Sequence, residues 1–150
     1  MAEPRERMLA YIRDHITMTL ATSRDDCPRA ATVFYANDGF DLYFISDPDS
    51  IHSLDLLANP RVFVTISQDY ADWQQIQGIQ LSGRAEPIQD GSRANELYSA
   101  KFPFVSGFPP ESLNYWKITA GWVRMVDNTI AFAHKDEIEL TGPSNLQDDH

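Results

Sequence analysis

One cysteine, Cys27, is all the thiol chemistry this chain has. It excludes an intramolecular disulfide and points to a reducing cytoplasm. Lying beside Asp25 and Asp26, it is also poorly placed to act as a thiolate nucleophile. The four histidines (His15, His52, His134 and His150) include no pair at metal-ligand spacing, so no metal site is expected. Neither a G-x-S-x-G elbow nor a G-x-x-x-x-G-K-[ST] loop is present, which removes the common hydrolase and nucleotide-binding signatures. Cations are scarce: 12 Lys and Arg stand against 22 Asp and Glu, for a net charge of -10. Without a basic cluster, that balance repels a phosphate backbone and excludes nucleic acid as a partner. No apolar run approaches the roughly 20 residues that span a membrane, and the opening MAEPRERM lacks a signal-peptide pattern. A cytoplasmic protein with no membrane partner is therefore expected.

What is present suits one folded unit. Hydrophobic residues make up 43% of 150, an ordinary value for a globular chain of this length. Such a chain buries about 70% of its unfolded surface. We expect one domain over residues 1–140 and a polar tail over 141–150.

The most informative stretch is residues 40–66, FDLYFISDPDSIHSLDLLANPRVFVTI. Residues 41–45 are rich in β-favouring side chains, and Asp47-Pro48-Asp49-Ser50 breaks the strand off. Ile51, Leu54, Leu57 and Ala58 follow at helical spacing and predict an apolar helix face; Asn59-Pro60 ends the helix before a strand over 62–66. A helix start carries unpaired N–H groups and partial positive charge, and here Ser46 and Ser50 flank it. It is a candidate phosphate seat, although Asp and Ser at this position also cap a helix with no ligand bound.

Elsewhere the pattern predicts a helix over 5–16 with Met8, Leu9, Ile12 and Ile16 on one face, and strands over 17–22 and 30–36 separated by a polar turn at 23–28. With the strand at 41–45, reached through Asn37-Asp38-Gly39, these should form a three-stranded meander. Residues 67–75 read as a loop and 76–88 as a strand with Ile79 and Leu81 on one face, Gln80 and Ser82 on the other, and Gly78 and Gly83 suited to a bulge or close approach. A helix is expected over 93–101, then an irregular aromatic and proline-rich stretch at 102–110. Strands over 115–126 and 129–133, joined by Asp127-Asn128, complete the chain, with Trp116 and Trp122 expected on one face. Hairpins with short inserted helices suggest a mainly β fold, an antiparallel barrel.

The ordered set Thr19-Leu20-Ala21-Thr22, residues 28–35, 42–50, Leu57-Ala58-Asn59-Pro60-Arg61-Val62 and 79–85 resembles the pyridoxamine 5'-phosphate oxidase-like family of FMN-binding split-barrel flavoproteins. Tyr115-Trp116-Lys117-Ile118 with Val126-Asp127-Asn128 is similar to a small, poorly defined bacterial subgroup of it. The resemblance covers residues 8–134. It implies an antiparallel split β-barrel, a homodimer, and FMN at the subunit interface. Carried over by position, it implies Ser46 and Ser50 as phosphate hydroxyls after Ile45, Arg29 as a compensating cation, and Thr32, Val33 and Phe34 with Gln77 or Gln80 along the isoalloxazine ring. It also draws Trp116 into the cofactor site.

One departure matters. Ile51-His52 stands where relatives often carry an Arg-Lys pair. Losing one charge-assisted contact weakens binding roughly ten- to a hundredfold, and Asp47 and Asp49 would oppose the phosphate further. The Arg-Leu-X-Pro ending of the vitamin B6 oxidase is absent, since the chain ends TGPSNLQDDH. The expectation is a flavin-dependent oxidoreductase acting on an unknown small-molecule substrate, with no acid or base residue assignable as catalytic. Two alternatives stay open: a haem- or deazaflavin-binding module, and a dimeric scaffold that has lost its cofactor. Dimerisation has a physical motive of its own, because three Trp, six Tyr and eight Phe exceed what one small barrel readily buries.

Overall fold

A computed structural model describes residues 2–140; the tail expected at 141–150 lies outside them. Helix α1 (Pro4–Asp14) opens with proline in its first turn, where the missing N–H costs nothing, and buries Met8, Tyr11 and Ile12. Ile16 lies past the helix end and is exposed, so it does not continue that face. Strands β1 (Thr17–Arg24) and β2 (Cys27–Phe34) pair along their full length around Asp25-Asp26. Both turn residues have positive φ, a backbone that Asp tolerates, so Cys27 and Pro28 belong to β2 and not to a long turn.

The expected meander does not form. After Tyr35 the chain makes a separate short hairpin from β3 (Ala36–Asp38) and β4 (Asp41–Ile45) around Gly39 at φ +61°. β4 then pairs with β7 (Tyr115–Asp127), far away in sequence, and not with β2. Helix α2 (Ile51–Ala58) follows, then β5 (Arg61–Ser67), a single 3₁₀ turn at Trp73–Gln75, and β6 (Gln77–Pro87). Helix α3 (Ser92–Lys101), 3₁₀ turns at Pro103–Gly107 and Pro110–Ser112, β7 and β8 (Lys135–Glu139) complete the order. Residues 129–133, expected as a strand, form turns; the pairing partner of β7 begins six residues later than predicted, at Lys135.

The strands make one antiparallel, curled sheet in the order β2-β1-β5-β6-β7-β4-β3, with β8 on the β4 edge of β7. This is a split-barrel half, mainly β. Its concave side is filled by Leu20, Phe44, Val64, Ile66, Leu81, Ile118 and Val123, plugged by Met8 and Ile12 of α1 and Leu56 of α2. A second, smaller core packs Tyr98 and Phe102, at the end of α3, against Tyr43 and Tyr115 on the other face of β4 and β7. The remaining outer face, across β2, β1, β5, β6 and the far half of β7, has no helix over it.

A β-bulge explains a failed expectation. Ser82 faces Trp122 while Gly83 faces Ala120, which leaves Gly121 as the extra residue of β7. Trp116, Ile118 and Ala120 point inward before the bulge; Val123 and Met125 point inward after it. Trp116 and Trp122 therefore occupy opposite faces. The bulge requires Gly83, since a Cβ there would lie 2.3 Å from the Thr119 carbonyl oxygen. Among the described residues no helix is long and apolar enough to cross a membrane.

Candidate functional site

At the end of β4 the chain turns through Asp47-Pro48-Asp49, with the Asp49 N–H donating to the Asp47 carboxylate at 2.9 Å. Ser50 is the N-cap of α2 and its Oγ accepts from the Ser53 N–H at 3.3 Å. Ser46, fixed by its N–H to the Asn114 carbonyl at 3.0 Å, sends its hydroxyl into the same place. Ser46 Oγ lies 2.9 Å from Ser50 Oγ, 2.6 Å from Ser53 Oγ and 2.7 Å from His52 Nε2. Each hydroxyl has one proton to give. One ordering satisfies the group: Ser50 donates to Ser53 at 2.9 Å, Ser53 to Ser46, and Ser46 to His52. That ordering requires an unprotonated Nε2. Burial lowers the His52 pKa, opposed by the attraction of Asp55, which suits a neutral ring.

One turn along α2, Asp55 is fully buried. It accepts from Thr22 Oγ1 at 2.9 Å and from Arg29 Nη1 at 2.8 Å, and Arg24 Nε stands 3.2 Å away. Burial pushes the Asp55 carboxyl upward, but the Thr22 hydroxyl and the two guanidiniums outweigh it and hold the pKa below the usual value. Arg29, expected as a free phosphate cation, is thus ion-paired within the protein.

This pairing inverts the expected face of α2. Ser53, Asp55 and Leu56 are its buried residues, whereas Ile51, Leu54 and Leu57 are 58%, 41% and 63% exposed. Helical spacing located the apolar stripe correctly and assigned it to the wrong side, because a carboxylate with three partners can be buried.

Thr32, Val33, Phe34 and Ile45 are brought together along a groove of about 540 Å³. Tyr98 of α3, Phe104 and Phe108 form its other wall. Phe34 stacks at a tilt on Phe102, centroids 5.0 Å apart, and leaves its own edge exposed. Ile45 faces this groove; the next residue, Ser46, belongs to the hydroxyl cluster. The two features are thus carried by adjacent residues at the end of β4, whose side chains point to opposite faces.

The other expected residues lie elsewhere. Gln77 donates to Asp127 at 3.2 Å. Gln80 accepts from Arg124 at 3.5 Å on the open outer face. Trp116 is buried and stacks on Phe44 at 6.1 Å, lining a separate cleft of about 760 Å³ with Pro48 and Leu57. Sequence reasoning missed Ser53, Thr22, Arg24 and Asp55. The Ser50-x-x-Ser53 spacing was a usable signal for the first, and a lone carboxylate inside an apolar helix stripe was one for the last.

The model of the pyridoxamine 5'-phosphate oxidase family matches residues 4–127. The chain belongs to that family. A UPF0306 protein of Pasteurella multocida is 26% identical over 129 residues, 83% of this chain and 85% of that one. Among solved structures, a haem-binding protein from Mycobacterium smegmatis superposes with a TM-score of 0.73 at 20% identity, over 93% of this chain and 60% of that chain. An FAD-binding protein from Mesorhizobium loti gives 0.68 at 19% identity, over 83% and 94%. At such identities the structural matches establish the split-barrel fold that the family shares, and the fold holds more than one kind of cofactor.

Proposed function

We propose that this chain is an FMN-binding flavoprotein of the family, an oxidoreductase toward a small substrate, working as a homodimer. The observation that carries the reading is that adjacent residues at the end of β4, Ile45 and Ser46, belong to an apolar groove and to a hydroxyl-lined helix start. Ser50, with the first N–H groups of α2, is a donor suited to a phosphate, and the buried Ser46 and Ser53 hold it in place from behind. The groove is lined by Phe34, Ile45 and Phe104, a suitable wall for a flat ring system. Because β2 lies at the sheet edge, alternate backbone groups between Ala30 and Phe34 have no strand partner among the described residues and are available to a ring's polar edge. The donor set fits a flavin phosphate in kind and is poor in charge. Bound there, the flavin would supply redox chemistry that none of these side chains provides. The protein's own part is to seat the phosphate, exclude water along the groove and shape access to it.

The homodimer is supported by the uncovered sheet face. Strand register aligns Ala30, Ala21, Phe63, Ser82 and Trp122 in one row and Thr32, Thr19, Thr65, Gln80 and Arg124 in the next. The first row is small or aromatic and the second is polar, with Phe63 and Trp122 in contact at 6.0 Å and Phe63 41% exposed.

FMN titration followed by flavin fluorescence and protein melting tests the reading. Saturable quenching with a raised melting temperature, both weakened in Ser50→Ala, is the expected result. No response to FMN in either readout sinks it. A second reading, a split-barrel scaffold without cofactor, is favoured by the engagement of both Arg24 and Arg29 by Asp55; it predicts a stable dimer indifferent to FMN. Haem has less support, since His52 Nε2 is engaged by Ser46 and His134 Nε2 by Asp136 at 3.0 Å.

A further inference from the structure

We propose that Asp55 is an internal counter-anion that limits the affinity of this site for phosphate-bearing ligands, by holding Arg24 and Arg29 one helical turn away from the seat. The inference rests on the reading of the α2 start as a phosphate seat.

Residues 46–60 contain no Lys or Arg, and Asp47 and Asp49 stand at the mouth of the helix. Cationic help must come from an element packed against α2. The β1–β2 hairpin supplies it: Thr22 pairs with Arg29 across the ladder, and Arg24 lies two residues from Thr22 on the same face. All three converge on one carboxylate. Asp55 is completely buried, while the Arg24 and Arg29 side chains are 34% and 37% exposed. The carboxylate therefore draws two cations inward from a rim that solvent, and a ligand, can reach.

Distance makes the competition direct. Asp55 is three residues from His52, so the two side chains are neighbours on the helix surface. A helical turn rises about 5.4 Å, within the reach of an arginine side chain. A guanidinium released from Asp55 can swing to the first turn, where Ser46 and Ser50 present their hydroxyls. Held by Asp55, the two guanidiniums keep one net positive charge between them and touch no incoming anion directly. The site takes a phosphomonoester of a flat aromatic ligand, and takes it weakly by design of this one residue.

Asp55→Asn removes the charge but retains an oxygen for Thr22 and Arg29. FMN and riboflavin, which differ only by the phosphate, are titrated against wild type and variant by fluorescence. The expected result is FMN binding about tenfold tighter in Asp55→Asn, with riboflavin binding unchanged and inorganic phosphate competing more strongly. The double variant Arg29→Met/Asp55→Asn should lose most of the gain. A flavin-binding protein whose FMN-to-riboflavin ratio is the same in Asp55→Asn as in wild type overturns the inference and leaves the flavin reading standing. Failure of both proteins to bind either flavin removes both. Arg29→Met alone gives a test independent of folding around residue 55: a loss of FMN affinity of no more than a few-fold is expected, because Arg29 is held on Asp55 and does not touch the ligand. A large, phosphate-specific loss there shows that Arg29 serves the ligand directly, and overturns the proposal.

Discussion

His52 Nε2 lies 2.7 Å from Ser46 Oγ, and through that contact the first turn of α2 is tied to the end of β4. Ser46 also meets Ser50 and Ser53 and is itself buried, so its hydroxyl is the hub of the cluster. Ser46→Ala should leave buried partners unsatisfied and cost about 1–3 kcal/mol, measured by urea denaturation, and should weaken FMN binding in the same protein.

The state of His52 sets a pH dependence. Burial lowers its pKa in the folded chain, with Asp55 opposing in part. As pH falls through about 6.5, the unfolded chain takes up the proton first. Stability present above that pH is therefore lost below it. Wild type should melt lower at pH 5 than at pH 7, and His52→Gln should flatten that slope.

Lys101 gives the same sign at the other end of the scale. It donates to the His15 carbonyl and sits 4.2 Å from the Tyr35 ring centroid. Burial lowers its pKa to about 8, partly offset by Asp14. Between that value and the unfolded value the unfolded chain holds the extra proton, so stability rises as pH increases from about 8 to about 9.5. Lys101→Met should abolish the rise in melting temperature over that window. Above about pH 10 the buried Tyr11 and Tyr35, whose pKa values burial raises, reverse the trend.

Gly83→Ala tests the bulge. The added methyl would meet the Thr119 carbonyl oxygen at 2.3 Å and its carbon at 3.1 Å, both backbone atoms. A loss of about 1–3 kcal/mol or more is expected, read as a lower urea midpoint.

Phe63→Glu places a charge at the centre of the open sheet face, next to Trp122. Sedimentation should show a dimer for wild type and a monomer for the variant, with the same circular dichroism. A variant that stays dimeric moves the interface elsewhere.

Much of the architecture was legible because the signals were local. Alternation marked β5 and β6, the run Asp47-Pro48-Asp49-Ser50 marked the start of α2, and Asn59-Pro60 marked its end. The partnering of β4 with β7 was not legible, since nothing in a strand's own residues names a partner some seventy positions on. The burial of Asp55 was hidden for the same reason: its stability depends on Arg24, Arg29 and Thr22, which reach it only in the folded chain.

The family resemblance singled out Ser46 and Ser50, which the fold brings into contact, and Thr32, Val33 and Phe34, which line one groove with Ile45. It failed to anticipate where Arg29 spends its charge. Similarly, the resemblance groups Gln80 and Trp116 with the cofactor site, while the curl of the sheet sends them to the outer face and to a separate cleft.

The extra residue in β7 makes that strand two messages in different phase. Tyr115 to Ala120 is written in one frame and Trp122 to Asp127 in the other, with Gly121 as the frameshift. Were β7 to run straight through that glycine with no bulge, regular alternation would turn Val123 and Met125 toward solvent and thrust Trp122 and Arg124 into the barrel. Away from Gly121, the strand tolerates exchanges of side chain far better than a change in its length.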